Sequence, residues 1–526
     1  MEKRGKGGVN RREFLRLSTL AVGGGYLGLK AGKSAAGMMG GGGMGGGSMG
    51  GGGGMGGGGG MGGGTSVIDP PPGALFRDPP VLENIKAGTP GLVEVNVEAR
   101  VTPVNVNGTM ANLLTYNGGY PGPTIRARKG DLLRVNLTNS LSMLGTNILG
   151  HDRDITNLHT HGLHVSPSGN SDNVMVMLMT GDTFTYEYDL SKQAAGTLNF
   201  YHPHIHGSVA EQYWGGLAGA LVVEDDLPVL AGYETHIMVL KDIALSGTDP
   251  EPYTSTMDYM HGKEGNTVMV NGQVNPVLPI RPGQVQRWRI LNASNARFYM
   301  LSLEGHTLSV VGTEGGLLDK PYPQSQILLS PGERIEILVK ATQKSGTYRL
   351  LSLPYSRGGG SMGQQVTLLT MSYKGTRASD AVPSVINAAA VRVQADPMAT
   401  RTMALSMGQG RGYINGISFA GMDSTFEIHS MLGTYEIWQI VNESMMDHPF
   451  HQHVNPCQVL SISGGDAGYA SLYTRAPAWK DVVLVPKMGS ATILVPVTDF
   501  DGMAMFHCHI VEHEDIGMMG LWHIMA

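Results

Sequence analysis

Three ten-residue stretches repeat one pattern of apolar and polar positions: GDLLRVNLTN (130–139), GQVQRWRILN (283–292) and GTYEIWQIVN (433–442). Each runs from Gly to Asn, each follows an extended segment (TIRARK, VLPIRP, TFEIHSML), and they lie about 150 residues apart. Successive side chains of a strand point to opposite faces, so alternation of this kind, punctuated by turn residues, predicts strands. An internal repeat at this spacing predicts three copies of one β-domain. The length of 526 residues agrees, since roughly 100 to 200 residues make a domain. The expected fold is all-β: three consecutive Greek-key sandwiches over residues 75–228, 229–380 and 395–526.

The same alternation gives meaning to the histidines. In FHCHIVEHEDIGMMG (506–520), His507 and His509 share one strand face while Cys508 projects from the other, so one strand can touch two sites. His513 and Met518 follow the strand and offer an imidazole and a thioether to the Cys508 side. In HPFHQH, His451 and His453 face one way and His448 the other, which supplies a second imidazole. Two His, one Cys and a weak axial Met make a blue-copper ligand set. The alternatives are a buried free cysteine among chance histidines, or zinc. A structural zinc site usually brings paired cysteines at short spacing, and only Cys457 and Cys508 exist here.

LHTHG adds His159 and His161, and YHPHIHG adds His202 and His204. The same-face set is then His159, His161, His202, His204, His451, His453, His507 and His509, too many imidazoles for one metal and suited to three. The first repeat is followed by two of these motifs and the third by the other two. The middle one continues NASNARFYMLSLEGH without paired histidines, which makes it a spacer between domains that share a metal cluster.

With four such motifs, one enclosing a cysteine, the sequence resembles a multicopper oxidase from about residue 75 to its end. The resemblance implies cupredoxin-like domains and four copper ions. His448, Cys508, His513 and Met518 would form the type 1 centre, His159 and His451 the type 2 site, and His161, His202, His204, His453, His507 and His509 the type 3 pair. Electrons taken from a reductant at type 1 would pass through Cys508 to the cluster, where O2 is reduced to water. Glu514 and Asp172 stand at positions resembling the family's proton-relay acids. His164 and His206 are read as outer partners or core residues rather than ligands.

The expected reductant is Cu(I) or another reduced metal ion, with a laccase acting on phenols as the alternative. Met446, two residues before His448, matches a substrate-copper methionine of the family's cuprous oxidases, but Ser444 stands where those enzymes carry an aspartate. The Met/His-rich insertion expected in the third domain is absent, since LSMGQGRGYING (405–416) passes straight through. Met175, Met177 and Met179 in MVMLM have strand spacing and read as a core face, with copper binding as the alternative.

Composition bears mainly on the N-terminus. Residues 1–36, with adjacent Arg11 and Arg12, a mildly apolar stretch and small residues near Ala35, resemble a twin-arginine export signal, implying the periplasm or cell exterior. Removing them leaves 29 bases against 41 acids, a net charge near −12, which argues against a nucleic-acid partner. Residues 37–70 are nearly all glycine and methionine and cannot bury a core; the thioethers suit Cu(I) capture or are incidental to a spacer. No apolar run predicts a membrane span in the mature chain, which is expected to be a monomer. Cys457 reads as a lone buried thiol.

Overall fold

The computed structural model describes residues 67–225, 227–359 and 363–526; the export signal and almost all of the Gly/Met segment lie outside them. The strands form three successive pairs of sheets. Each repeat occupies the same place in its pair. Leu132–Asn139 runs parallel to Leu92–Val106 and antiparallel to Thr183–Asp189. Val285–Asn292 sits likewise between Glu234–Ile243 and Arg334–Lys340, and Thr434–Asn442 between Ala399–Gly408 and Ser490–Val497.

The ends of the repeat have a physical reason. The opening glycines Gly130, Gly283 and Gly433 all hold positive φ (90°, 80° and 82°), where a side chain would be strained. The closing asparagines are buried and make one set of bonds three times. Their Oδ1 accepts the amide N–H two residues on, at Leu141, Ser294 and Ser444. Their Nδ2 donates to two carbonyls, those of Asp154 and Leu178, Arg297 and Leu329, and Met446 and Val485. Each Asn therefore closes a turn and pins it to a neighbouring segment; at Asn442 that turn leads directly into His448.

Two features were not legible in the sequence. The middle repeat is buried on both faces, because Arg287 and Arg289 are neutralised by Asp225 and Glu336 (2.6–3.0 Å) rather than solvated. Val67–Ile68 forms a strand parallel to Gln365–Tyr373, and Leu75 bridges Val277, so this leading segment packs on the middle pair of sheets rather than on the first. Of the MVMLM methionines, Met175 alone packs against an apolar cluster, that of Phe419, Met505, Met519 and Leu521. Met177 and Met179 are 42% and 50% exposed while Leu178 between them is buried, paired through its backbone with Thr156.

Candidate metal centre

The last sheet of the third pair carries the cysteine. His448–Gln452 pairs antiparallel with Gly502–Cys508, setting Phe450 opposite Cys508 and His451 opposite His507. Cys508 thus faces the core side and His507 the other. On the cysteine side, Cys508 Sγ lies 3.4 Å from His448 Nδ1 and 3.5 Å from His513 Nδ1, and the two nitrogens are 3.2 Å apart. Nδ1 is presented because the outer nitrogens are engaged: His448 Nε2 meets Ser444 Oγ at 2.7 Å and His513 Nε2 the Met260 carbonyl at 3.3 Å. Met518 is buried beside them, its amide donating to the His513 carbonyl and its carbonyl accepting from the Cys508 amide. Gly412 makes room for it, since a Cβ there would meet Met518 Cβ at 2.7 Å.

Burial pushes the Cys508 thiol well above its usual range and holds His448 down at about 3. A cation is what makes such a thiol a thiolate. The set of one thiol, two neutral imidazoles and a neighbouring thioether fits copper.

On the other side, eight imidazoles from two pairs of sheets converge. His159 Nε2 and His451 Nε2 are 3.4 Å apart; His507 Nε2 lies 3.2 Å from His204 Nε2 and 3.3 Å from His453 Nε2. His161, His202 and His509 make a further group whose donor atoms lie within 4.8 Å of one another. Facing lone pairs at these distances repel unless something positive lies between them. The orientations are fixed from behind. His202, His451 and His507 bond backbone carbonyls through Nδ1, and His159 Nδ1 meets Asp172 at 2.9 Å. His161 is reversed: its Nε2 is held by Asp481 at 2.9 Å, leaving a buried Nδ1 without a partner. His202 Nε2 and both nitrogens of His509 are equally orphaned. Orphaned buried imidazole nitrogens facing one another fit metal ions.

Asp172 also accepts from the Thr160 amide and hydroxyl, and burial pushes its carboxyl up to about 7. Glu514 is buried with its oxygens 3.4 Å from His204 Nδ1 and 3.2 Å from His507 Nδ1, and burial raises its carboxyl well above the usual range. The structure therefore brings both acids against cluster histidines. It does not join His164 or His206 to any donor group: His164 meets the Val454 carbonyl and Asp499, and His206 packs edge-on to Phe419. Cys457 is a free buried thiol, pushed up to about 12 by burial.

Met446, expected as a substrate-copper ligand, is buried. Its sulfur accepts from Arg357 at 3.1 Å, and Arg357 is itself paired with Glu264. The exposed methionine of that turn is its neighbour Met445, 73% accessible. Sequence reasoning also missed Asp481 and Arg334, a fully buried guanidinium whose two nitrogens grip Asp481 at 2.5 and 2.6 Å behind His161 and His451. No local pattern announces that pair.

Three family models described as multicopper oxidase match residues 98–227, 233–376 and 388–525. A multicopper oxidase of Staphylococcus aureus is 30% identical, the match covering 78% of this chain and 84% of that protein. The chain belongs to the multicopper oxidases. A laccase of Bacillus subtilis is 27% identical over 77% of this chain and 88% of its own. Among solved structures, a multicopper oxidase from Campylobacter jejuni, titled a metallo-oxidase, superposes with a TM-score of 0.75 at 26% identity, covering 88% of this chain and 98% of that one.

As a multicopper oxidase, the protein is an all-β, cupredoxin-like, copper-dependent oxidoreductase with O2 as acceptor. Its metal-free form should be acid-labile. Burial, reinforced at most sites by neighbouring imidazoles or Arg357, depresses all ten ligand-type histidines. A depressed histidine contributes stability that is full above its unfolded pKa near 6.5 and is lost below it, at up to ~1.4 kcal/mol per pH unit each. The raised carboxyls of Asp172, Glu514 and Asp515 act oppositely but are outnumbered. The melting temperature of the metal-free protein should fall steeply between about pH 6.5 and 5; a flat profile would mean the imidazoles are not held neutral by the fold.

Proposed function

We propose that this multicopper oxidase couples four one-electron oxidations of a reductant, Cu(I) before other reduced metals, to reduction of O2 to two waters. His448, Cys508, His513 and Met518 would hold a type 1 ion, His159 and His451 a type 2 ion, and His161, His202, His204, His453, His507 and His509 the type 3 pair. Bound copper supplies the one-electron chemistry. The chain supplies the connection and the protons. One residue of backbone on either side of Cys508 reaches His507 and His509, so covalent bonds link the two donor sets. Glu514 and Asp172 hold protons at carboxyl oxygens beside His204, His507 and His159. In Glu514→Gln, which keeps the shape and removes the titrating group, O2 consumption should drop about 10²-fold, with a changed pH profile and unchanged copper content; an unaltered rate would remove Glu514 from the relay.

The observation that carries the Cu(I) reading is the cover over His513. His513 is fully buried and its outer nitrogen faces the Met260 carbonyl within the helix Thr256–His261, whose Met257 is 52% exposed. Arg357 ties this helix to the 445–446 turn, donating to the His261 carbonyl and to the Met446 sulfur, and the Met488 amide bonds the Ser444 carbonyl there. Met257 on that helix, Met445 on that turn and Met488 bonded to it are all exposed, and methionines there suit a small soft ion. The solved metallo-oxidase of Campylobacter jejuni adds support by similarity. Likeness to the Bacillus subtilis laccase favours the second reading, oxidation of phenols. O2 uptake with a stabilised Cu(I) complex and with a methoxyphenol separates them. In Met257→Leu/Met445→Leu, KM for Cu(I) should rise about tenfold with phenol turnover unchanged. Preference for the phenol, with no effect of the substitutions, would establish the laccase reading instead.

The Arg11–Arg12 leader supports export, and among the described residues no helix is long and apolar enough to cross a membrane.

A further inference from the structure

The outer face of the last sheet carries a second donor cluster, remote from the centres described above. Glu427 and His429 lie two apart on the edge strand Phe426–Met431, hence on one face, and His429 pairs across the parallel ladder with His523 of Met519–Met525. The two imidazoles stack with ring centroids 4.8 Å apart and planes at 27°. One oxygen of Glu427 reaches both: Oε2 is 3.5 Å from His523 Nε2 and 3.9 Å from His429 Nε2. Those separations are too long for hydrogen bonds, and His523 Nε2 is buried without a hydrogen-bond partner.

We propose that Glu427, His429 and His523 form an accessory site for a divalent first-row transition ion, with Cu(II) bound most tightly. Adjacent ligands of a tetragonal Cu(II) ion stand about 3.0 Å apart, and those of a tetrahedral ion about 3.4 Å apart. The His523–Glu427 separation of 3.5 Å needs only a small side-chain rotation to reach the tetragonal value, and His429, more than half exposed and 3.9 Å from the same oxygen, closes the remainder in the same way. Two imidazoles and a carboxylate are borderline-to-hard donors that favour Cu(II) over Cu(I), and Cu(II) heads the divalent affinity order. The site is accessible because Phe426–Met431 is the edge of its sheet. The Arg401 guanidinium, which bonds the His429 carbonyl, is paired with Glu436, so its charge is already compensated. The ladder Met503–His523, Met505–Leu521, His507–Met519 places the site on the same face as His507, about 14 Å along the strand from it.

The test compares the fully copper-loaded protein with His429→Gln/His523→Gln, both equilibrated with excess Cu(II) and freed of loosely held ion by gel filtration. The expected result is one more Cu(II) per chain in the parent protein, seen as an additional non-blue signal in the paramagnetic resonance spectrum, with equal blue absorbance and equal turnover in both. Glu427→Gln should weaken that ion about tenfold. Equal metal content in parent and double variant, or an extra signal that survives the double substitution, would overturn the proposal. So would full affinity in Glu427→Gln, since the carboxylate would then not be a ligand. Blue absorbance reports separately on Cys508, so failure here is distinguishable from failure of the oxidase reading.

Discussion

Replacing Cys508 with serine is expected to remove the blue colour, one copper ion per chain and essentially all oxidase activity, while the imidazole cluster keeps its metal. Sγ is the only sulfur anion available to that site: the other cysteine, Cys457, lies apart and its backbone pairs with Lys480. A serine hydroxyl is a hard, weakly acidic donor and does not replace a soft thiolate. The loss should reach 10³-fold or more in O2 consumption, about 4 kcal/mol of transition-state stabilisation, because Cys508 is both ligand and link. His507, on the opposite face of the chain, keeps His451 and Met519 beside it and the His509 amide keeps its bond to the Pro449 carbonyl, so the non-blue copper content should stay as in the parent protein. Metal analysis with visible and paramagnetic resonance spectra reads all three quantities. Retained colour would refute the His448–Cys508–His513 site; collapse of the whole copper content would mean that the two donor sets are not separable by strand face.

What could be read from sequence was what strand periodicity encodes locally. The His-x-His pairs and the Cys508 inversion need only alternation, and the Gly-to-Asn repeat needs only a glycine at positive φ and an asparagine that closes a turn. Contacts between distant segments could not be read in this way. Met260 carries no metal-binding signature, yet its carbonyl, 253 residues away, faces the outer nitrogen of His513. Met446 has the right spacing for a substrate ligand, but Arg357, 89 residues away, takes its sulfur. Alternation in MVMLM predicts which residues share a face but not which face is buried; that is decided by the pairing of Leu178 with Thr156. The pairings of Val67–Ile68, at the end of the Gly/Met segment, and of Leu75 were illegible for the same reason, since their partners lie more than 200 residues later.

The second large effect should come from Asp481, 147 residues from its partner Arg334 and invisible to any local motif. The Arg334 guanidinium is fully buried; besides Asp481 it bonds the Leu198 and Gly332 carbonyls. Asp481→Ala removes the carboxylate that the Arg334 guanidinium grips and leaves a buried charge without its ion-pair partner, at a cost of about 3–5 kcal/mol. The same substitution frees His161. With nothing to accept its Nε2–H, the ring can rotate or exchange tautomers, and Nδ1 no longer faces His202 and His509. Losing such an outer partner typically weakens metal binding 10- to 100-fold. The two consequences can be separated. Asp481→Leu/Arg334→Met replaces the pair by apolar groups of similar size and should recover most of the stability, but it offers His161 no acceptor, so copper should remain weakly bound. Thermal melts of the metal-free proteins read the first effect and copper titrations the second. If the double variant recovered copper affinity together with stability, Asp481 would be a packing residue, and the inverted tautomer of His161 would need another cause.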